Sequence, residues 1–213
     1  ESTRPGSGCV PEEEEIRRVV PAIAALHAAL PHMTLCIDTR KAAVAEAAIA
    51  AGATVINDVS GLTFDPGMAQ VAARHRAGLV VMHSRGTPDR MLDPRYTDYG
   101  ADGVVSAVLE FWKRQTQVAR TAGVAPEAIL VDPGFGFAKT AEQNWEMVRE
   151  FERFLAQPYG VYIGVSRKRF LGGDDPAVRV EAGTRVAVAL ARRGARFVRT
   201  HDVAEFRREF GVR

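Results

Sequence analysis

The stretch ILVDPGFGFAKT, residues 129–140, joins an apolar run to a polar loop that is rich in glycine. The apolar run, Ile129–Val131, shows no alternation of apolar and polar residues, which is typical of a strand in a parallel sheet covered on both faces. Asp132 follows this run directly, and a helix-like segment, Ala141–Leu155, begins after the loop. The stretch therefore predicts a strand–loop–helix unit with a carboxylate at the carboxyl end of its strand.

The same unit is repeated along the chain. Short apolar runs alternate with longer amphipathic segments, and strand followed by helix, repeated six times, predicts an α/β fold with a parallel sheet. The predicted strands are Thr34–Ile37, Thr54–Asn57, Leu79–Met82, Ile129–Val131, Val161–Gly164 and Phe197–Arg199. The predicted helices are Pro11–Leu30, Ala42–Ala51, Pro66–Ala77, Gly103–Gly123, Ala141–Leu155, Val178–Arg193 and Val203–Phe210.

Polar residues end or follow each predicted strand. An open sheet collects its ligands where the strand order reverses, whereas a (β/α)8 barrel uses the carboxyl ends of nearly all its strands. Because all six strands carry such residues, the pattern favours a (β/α)8 TIM barrel that forms a single domain over residues 1–213. The residues concerned are Asp38, Asn57, Asp58, His83, Asp132, Ser166, Arg167, Lys168, His201 and Asp202.

Two loops stand out in this scheme. Six βα units are two fewer than a (β/α)8 barrel has, and residues Glu1–Val10 read as a strand-to-helix loop that lacks its strand. We therefore expect the first two strands of the barrel to be missing or to precede Glu1. The segment Ser84–Tyr99 has two prolines and several charges between a strand and a helix, which predicts a mobile lid.

The composition excludes several classes of function. Lys and Arg number 28 against 26 Asp and Glu, and a net charge of +2 does not favour binding to nucleic acid or an acidic membrane. The chain has no apolar run near the ~20 residues that a membrane helix needs. Cys9 and Cys36 are far apart in sequence, without metal-ligand spacing, so two free thiols in the cytoplasm are expected.

The stretches at the strand ends, taken in order, resemble those of the dihydropteroate synthase family, a pterin-binding TIM-barrel family. The resemblance runs from residue 1 to residue 213, but the two strands and first loop that the family carries before this point have no counterpart here. The stretches that carry it are Glu1–Gly6 (ESTRPG), Ile37–Lys41 (IDTRK), Asn57–Gly61 (NDVSG), Asp132–Thr140 (DPGFGFAKT), Gly164–Gly172 (GVSRKRFLG) and Arg199–Val203 (RTHDV).

The resemblance implies a transferase of folate biosynthesis. Its substrates would be (7,8-dihydropterin-6-yl)methyl diphosphate and 4-aminobenzoate, and its products 7,8-dihydropteroate and diphosphate. The family uses Mg2+, is a target of sulfonamides and commonly forms homodimers. Its asparagine ligand for the metal belongs to the first loop, so the ligands of a metal in this chain are unknown.

The resemblance also assigns the pterin pocket. Asp38, Asn57, Asp132 and Lys168 would line it, with Met82 and Phe137 as apolar walls. A carboxylate such as that of Asp132 can accept two hydrogen bonds from the guanidinium-like edge of a pterin, and Asn57 can both donate and accept. Purely structural roles are the alternatives: Asp132 could cap a turn, and Met82 and Phe137 could belong to the core.

Basic residues after the last two strands would hold the diphosphate, because barrels bind phosphate there. The resemblance gives this role to Arg199 and His201, places Lys168 near the pterin carbonyl, and places Ser166, after Gly164, beside the incoming amine. The alternative is a solvated basic surface. The candidate catalytic residues are thus Asp38, Lys168, Arg199 and His201, and the candidate substrate-binding residues are Thr3, Arg4, Pro5, Asp38, Asn57, Met82, Asp132, Phe137, Gly164, Ser166, Lys168, Arg199 and His201.

Two motifs are less informative. The run from Gly134 to Thr140 resembles a P-loop, but GxxxxGK[ST] requires glycine where Ala138 stands, and the family usually has glycine there too. His83 lies in a stretch similar to one in the family, and both a structural and a functional role remain open for it.

Other functions remain open at this point. Pterin-binding domains of corrinoid methyltransferases share the pterin carboxylates and the asparagine but lack both the basic loops and the ESTRPG loop. A Schiff-base aldolase could use Lys168 if the pKa of its amine were depressed. A barrel that binds pterin but turns over poorly would follow from the missing N-terminal segment.

Overall fold

A computed structural model of the protein describes residues 6–87, 89–91, 93–173 and 175–211. Within this part of the chain six parallel strands form one sheet in sequence order, each paired with the next along the chain. The strands are β1 (Cys36–Asp38), β2 (Val55–Asp58), β3 (Gly78–Met82), β4 (Ile129–Asp132), β5 (Gly160–Ile163) and β6 (Phe197–Val198).

Helices connect the strands as predicted. The described residues contain α1 (Glu12–Ala29), α2 (Ala42–Ala50), α3 (Met68–His75), α4 (Pro94–Thr97), α5 (Gly103–Thr121), α6 (Ala141–Arg149), α7 (Phe151–Leu155), α8 (Pro176–Arg193) and α9 (Val203–Phe210), and short 3-10 turns at Pro126–Ala128 and Arg169–Leu171. No helix among these residues is long and apolar enough to cross a membrane.

The structure confirms all six predicted strands to within two residues and corrects one prediction about helices. The segment Ala141–Leu155 is two helices rather than one, because Glu150, at φ −94° and ψ 23°, leaves the helical conformation. The second helix thereby buries both Phe151 and Phe154 completely. The described part of the predicted lid, Ser84–Tyr99, includes α4, which Asp93 caps by accepting a hydrogen bond from the Arg95 amide, and its mobility stays a prediction.

The central strands lie between two covered faces. Leu79, Val80 and Val81 are consecutive in β3 and all fully buried, as expected for a parallel sheet with both faces covered. Burial of each such side chain stabilises the fold by roughly 1.5–3 kcal/mol. The apolar run without alternation therefore reflects burial on both sides of the sheet.

The sheet curls into a half-barrel. Asp38 ends β1 and Arg199 follows β6, and the Arg199 Nη2 donates to Asp38 Oδ2 at 2.6 Å although 161 residues separate them. This ion pair brings the carboxyl ends of the first and last strands together. The carboxyl ends of the six strands consequently open on one side of the sheet, which forms a mouth.

Thr140 closes the loop after β4 with a capping box. Its hydroxyl accepts from the Gln143 amide at 3.2 Å, and the Gln143 side chain accepts from the Thr140 amide at 2.9 Å. The Gln143 amide group also donates to the Thr97 carbonyl at 2.7 Å, which attaches the segment after β3 to α6.

We expect Thr140→Ala to lower the free energy of unfolding by about 1 kcal/mol, because an orphan amide at the start of α6 loses its acceptor. Urea denaturation would measure the change. Thr140→Ser keeps the hydroxyl and serves as the control; equal losses in both variants would contradict the capping role.

Candidate active site

The predicted site residues meet at the carboxyl edge of the sheet. Asp38 is in register with Asn57 on the neighbouring strand, and Met82 is in register with Asp132. Because all the strands are parallel, their carboxyl ends open on the same side. The structure therefore brings together the side chains that the sequence pattern predicts to converge.

Asp38 is the centre of a polar group at one side of the mouth. It accepts hydrogen bonds from the Asn57 amide group and from the Arg199 guanidinium. The Asn57 side chain is buried, and its Oδ1 atom has no hydrogen-bond partner among the residues that the structure describes. A buried acceptor left without a partner is costly, so this oxygen points to a ligand that donates an N–H.

Asp132 lies at the base of the mouth, only 4% exposed. Its Oδ1 accepts from the Gly134 amide at 2.7 Å, so the turn-capping alternative is correct as a description of one oxygen. Burial raises the pKa of the carboxyl to about 6, although the Gly134 amide and Lys168 act in the opposite direction. A carboxylate with a pKa this high binds strongly to a ligand that replaces the lost hydration.

The loop after β4 approaches the mouth in a left-handed conformation. Gly134, Gly136 and Ala138 have φ values of 69°, 76° and 49°. A Cβ on Gly134 would lie 2.0 Å from the His83 carbonyl oxygen, so only glycine fits there. The turn places the Phe137 ring 4.1 Å from the Lys168 ammonium.

Lys168 is the only one of the three consecutive basic residues after β5 that turns inward. Arg167 and Arg169 are exposed, and Arg167 forms a bidentate ion pair with Asp202, so the alternative of a solvated basic surface is correct for these two. Burial lowers the pKa of Lys168 to about 8, and Asp132 opposes the shift. The depressed pKa that a Schiff-base lysine requires is thus present, and its main cause is burial.

Ser166 and His201 lie next to each other at the far side of the mouth. The Ser166 hydroxyl is 3.0 Å from His201 Nδ1 and accepts from the His201 amide at 3.2 Å. Gly164 brings the end of β5 close to Arg199, whose Cβ would be 3.9 Å from a Cβ at this glycine. Thr3, Arg4 and Pro5 lie outside the described residues.

One member of the cluster, Lys139, was not among the residues predicted from the sequence. Lys139 is buried behind the Phe137 loop, and its Nζ lies 3.0 Å from His83 Nδ1. Burial lowers the pKa of Lys139 to about 7 and the pKa of His83 well below its ordinary value. The apolar residues around Lys139 in the FAKT stretch could have indicated this role, because a lysine in such a loop must either reach solvent or find buried acceptors.

A metal site is not evident in the described residues. They contain no group of three or more His, Cys, Asp or Glu side chains that could hold a metal ion.

The chain matches known proteins over nearly its whole length. A family model described as pterin binding enzyme matches residues 1–201. A dihydropteroate synthase of Synechocystis sp. (strain ATCC 27184 / PCC 6803 / Kazusa) is 41% identical over 207 residues, which are 95% of this chain and 70% of that protein.

Solved structures agree with the sequence relatives. The Yersinia pestis dihydropteroate synthase with a sulfonamide drug complex matches at a TM-score of 0.92 and 33% identity, covering 100% of this chain and 76% of that one. The Xanthomonas albilineans dihydropteroate synthase with 4-aminobenzoic acid matches at a TM-score of 0.90 and 38% identity, covering 100% and 75%.

Asp132→Asn should stabilise the protein without ligand at high pH. The folded pKa of about 6 exceeds the ordinary value of 3.8, so the carboxyl lowers the stability progressively between these pH values and by a constant amount above pH 6. We expect the variant to be more stable by about 3 kcal/mol at pH 8 and the difference to vanish near pH 3, where the wild-type carboxyl is protonated in both states. Urea denaturation at both pH values measures this; a variant that is less stable at pH 8 would contradict it.

Gly134→Ala should lower the stability of the fold far more than alanine does at another glycine with a left-handed conformation. Gly100 has a φ of 61° and open space around its Cβ position, so Gly100→Ala incurs only the conformational cost of about 1–2 kcal/mol. Gly134→Ala adds a steric clash with backbone, and we expect at least about 2 kcal/mol of further loss. Similar melting temperatures for the two variants would refute the close approach to His83.

Proposed function

The chain belongs to the dihydropteroate synthase family of pterin-binding enzymes, and we propose that it condenses (7,8-dihydropterin-6-yl)methyl diphosphate with 4-aminobenzoate in folate biosynthesis. The observation that carries this proposal is the pair of buried acceptors, Asp132 and Asn57 Oδ1, at the mouth of the sheet. A pterin edge offers the adjacent N–H groups that such acceptors require.

In the proposed reaction the amine nitrogen of 4-aminobenzoate attacks the methylene carbon. A C–N bond forms, the C–O bond to diphosphate breaks, and the nitrogen loses a proton. This direct substitution needs no covalent intermediate with the enzyme, so the enzyme would act by positioning and electrostatics. Asp38 would stabilise positive charge that develops on the pterin.

The departing diphosphate would be received by Arg199 and His201. The Arg199 guanidinium is exposed and forms an ion pair with Asp38. A bound anion could draw the guanidinium away from that carboxylate. Lys168 would lie between pterin and diphosphate, and Ser166, beside His201, would face the incoming amine. Met82, Phe137 and Gly164 would form walls of the pocket.

The position of the second substrate rests on the family resemblance. Thr3, Arg4 and Pro5 would fold over the mouth and enclose 4-aminobenzoate. The solved Xanthomonas albilineans relative holds 4-aminobenzoic acid, and this supports the same substrate here.

The architecture beyond the half-barrel is also a proposal. We propose that β1–β6 are six of the eight strands of a (β/α)8 barrel, in one domain over residues 1–213. Their sequential parallel order and the approach of Asp38 to Arg199 support this. A homodimer, a cytoplasmic location and a requirement for Mg2+ stay predictions from the family, and no step above depends on the metal.

Release of diphosphate and formation of dihydropteroate, followed together, test the function. We expect both products in equal amounts only when both substrates are present. Calorimetry with 6-hydroxymethylpterin reports binding separately. Pterin binding without diphosphate release would contradict the synthase proposal and favour a barrel that only binds pterin.

Arg199→Met should weaken the binding of the substrate that carries diphosphate. The binding of the pterin alone should stay nearly unchanged. We expect KM for the pterin diphosphate to rise about 10- to 100-fold, because a charge-assisted hydrogen bond is worth ~1.5–3 kcal/mol. The Kd for 6-hydroxymethylpterin should change less than about threefold, which is under ~1 kcal/mol. Arg169→Met, at an exposed arginine nearby, is the control, and equal effects on both ligands would contradict the diphosphate role.

The affinity for pterin should fall below pH 6. Asp132 must be ionised to accept two N–H groups, and its pKa in the free protein is about 6. We expect the Kd for 6-hydroxymethylpterin to increase about tenfold per pH unit as the pH drops further. Calorimetry from pH 4.5 to pH 8 measures this, and a flat profile would contradict the role of Asp132.

A further inference from the structure

Lys139 occupies a buried position in the loop after β4, and the proposed reaction gives it no role. Only 5% of the residue is exposed. Its ammonium donates to the Gly134 carbonyl at 3.0 Å and to the Phe137 carbonyl at 2.9 Å. It also lies 3.0 Å from His83 Nδ1 and 3.4 Å from the His83 carbonyl oxygen. The lysine thus joins the loop after β4 to the end of β3.

The conformation of the loop explains why a side chain with several N–H donors is needed there. Positive φ values at Gly134, Gly136 and Ala138 turn the chain so that loop carbonyls point into the protein. Carbonyl groups buried in this way are costly without a donor. A lysine ammonium carries three N–H donors and no acceptor, so one side chain can satisfy several carbonyl oxygens at once.

His83 completes the coordination of the ammonium. The ring is fully enclosed and packs edge-on against Phe111, with ring centroids 5.0 Å apart. A neutral imidazole that carries its proton on Nε2 offers Nδ1 as an acceptor. Of the two roles that the sequence left open for His83, this contact favours the structural one, in which His83 is a hydrogen-bond acceptor for Lys139.

The residues that Lys139 holds are the ones that present the pterin site. The Gly134 amide fixes Asp132 Oδ1, while the Gly134 carbonyl binds Lys139. Phe137 binds Lys139 through its carbonyl and meets Lys168 through its ring. Two groups of the pocket therefore take their positions from residues that the buried ammonium holds.

The outer side of the loop is attached separately. The Tyr99 hydroxyl donates to the Ala138 carbonyl at 2.9 Å, and the Arg85 guanidinium stacks 4.0 Å from the Tyr99 ring. Lys139 satisfies the carbonyls that face inward and Tyr99 one that faces the segment before α5. The loop is consequently held from both sides.

We propose that Lys139 is a positioning residue for pterin recognition: it binds the inward carbonyls of the loop and so sets the places of Asp132 and Phe137. The inference rests on the proposed function, because it concerns the same pterin site. It adds a residue that acts from behind the pocket, through other residues, and contacts no substrate.

Lys139→Met removes the donors and keeps the length of the side chain. We expect the Kd for 6-hydroxymethylpterin to rise at least tenfold and KM for the pterin diphosphate to rise in parallel, with kcat changed less than threefold. Lys139→Gln keeps two N–H donors and should restore part of the affinity. Lys113→Met, at an exposed lysine of α5, is the matched control and should behave as the wild type.

The measurements are made at 10 °C, with circular dichroism to verify folding. A purely structural role would leave the affinity of folded protein unchanged, so wild-type Kd in both Lys139 variants would overturn the inference. It would also be overturned if neither variant folded while Lys113→Met did, since Lys139 would then hold the fold rather than the loop. Failure of the wild-type protein to bind pterin would instead overturn the proposed function.

Discussion

The mouth of this protein depends on one carboxylate that is kept out of water. Asp132 is the buried last residue of β4, and its pKa rises to about 6 because burial removes most of its hydration. The Gly134 amide and the ammonium groups of Lys139 and Lys168 oppose that rise, so the carboxyl is still ionised at neutral pH. A group in this state gains from a ligand with two N–H donors far more than an exposed carboxylate would.

The parallel sheet supplies the other side chains of the mouth. Each strand delivers residues to the same edge, and the curl of the sheet brings Asp38 within 2.6 Å of Arg199 from the opposite end of the order. In this arrangement the anionic and cationic groups of the mouth neutralise each other. The ion pair between Asp38 and Arg199 is half exposed, so its net contribution to stability is small.

The strands could be predicted because burial on both faces leaves an unmistakable apolar run, as in β3. The break at Glu150 could not, since it depends on the way Phe151 and Phe154 enter a core built by distant residues. The pattern of residues alone also did not show which of the basic side chains after β5 turns inward. Only the family resemblance placed Lys168 in the pocket. Arg167 adopts a φ of 57° and pairs with Asp202, which leaves Lys168 to turn inward. The role of Lys139 was hidden as well, because its acceptors are backbone carbonyls of its own loop, and their direction depends on the left-handed turns at Gly134 and Gly136.

A crystal structure with bound 6-hydroxymethylpterin tests the central claim most directly. The account predicts that the 2-amino and ring N–H edge lies against the Asp132 carboxylate, with an N–H of the ligand donating to Asn57 Oδ1. A pterin bound away from this edge of the sheet, or held without Asp132, would contradict it.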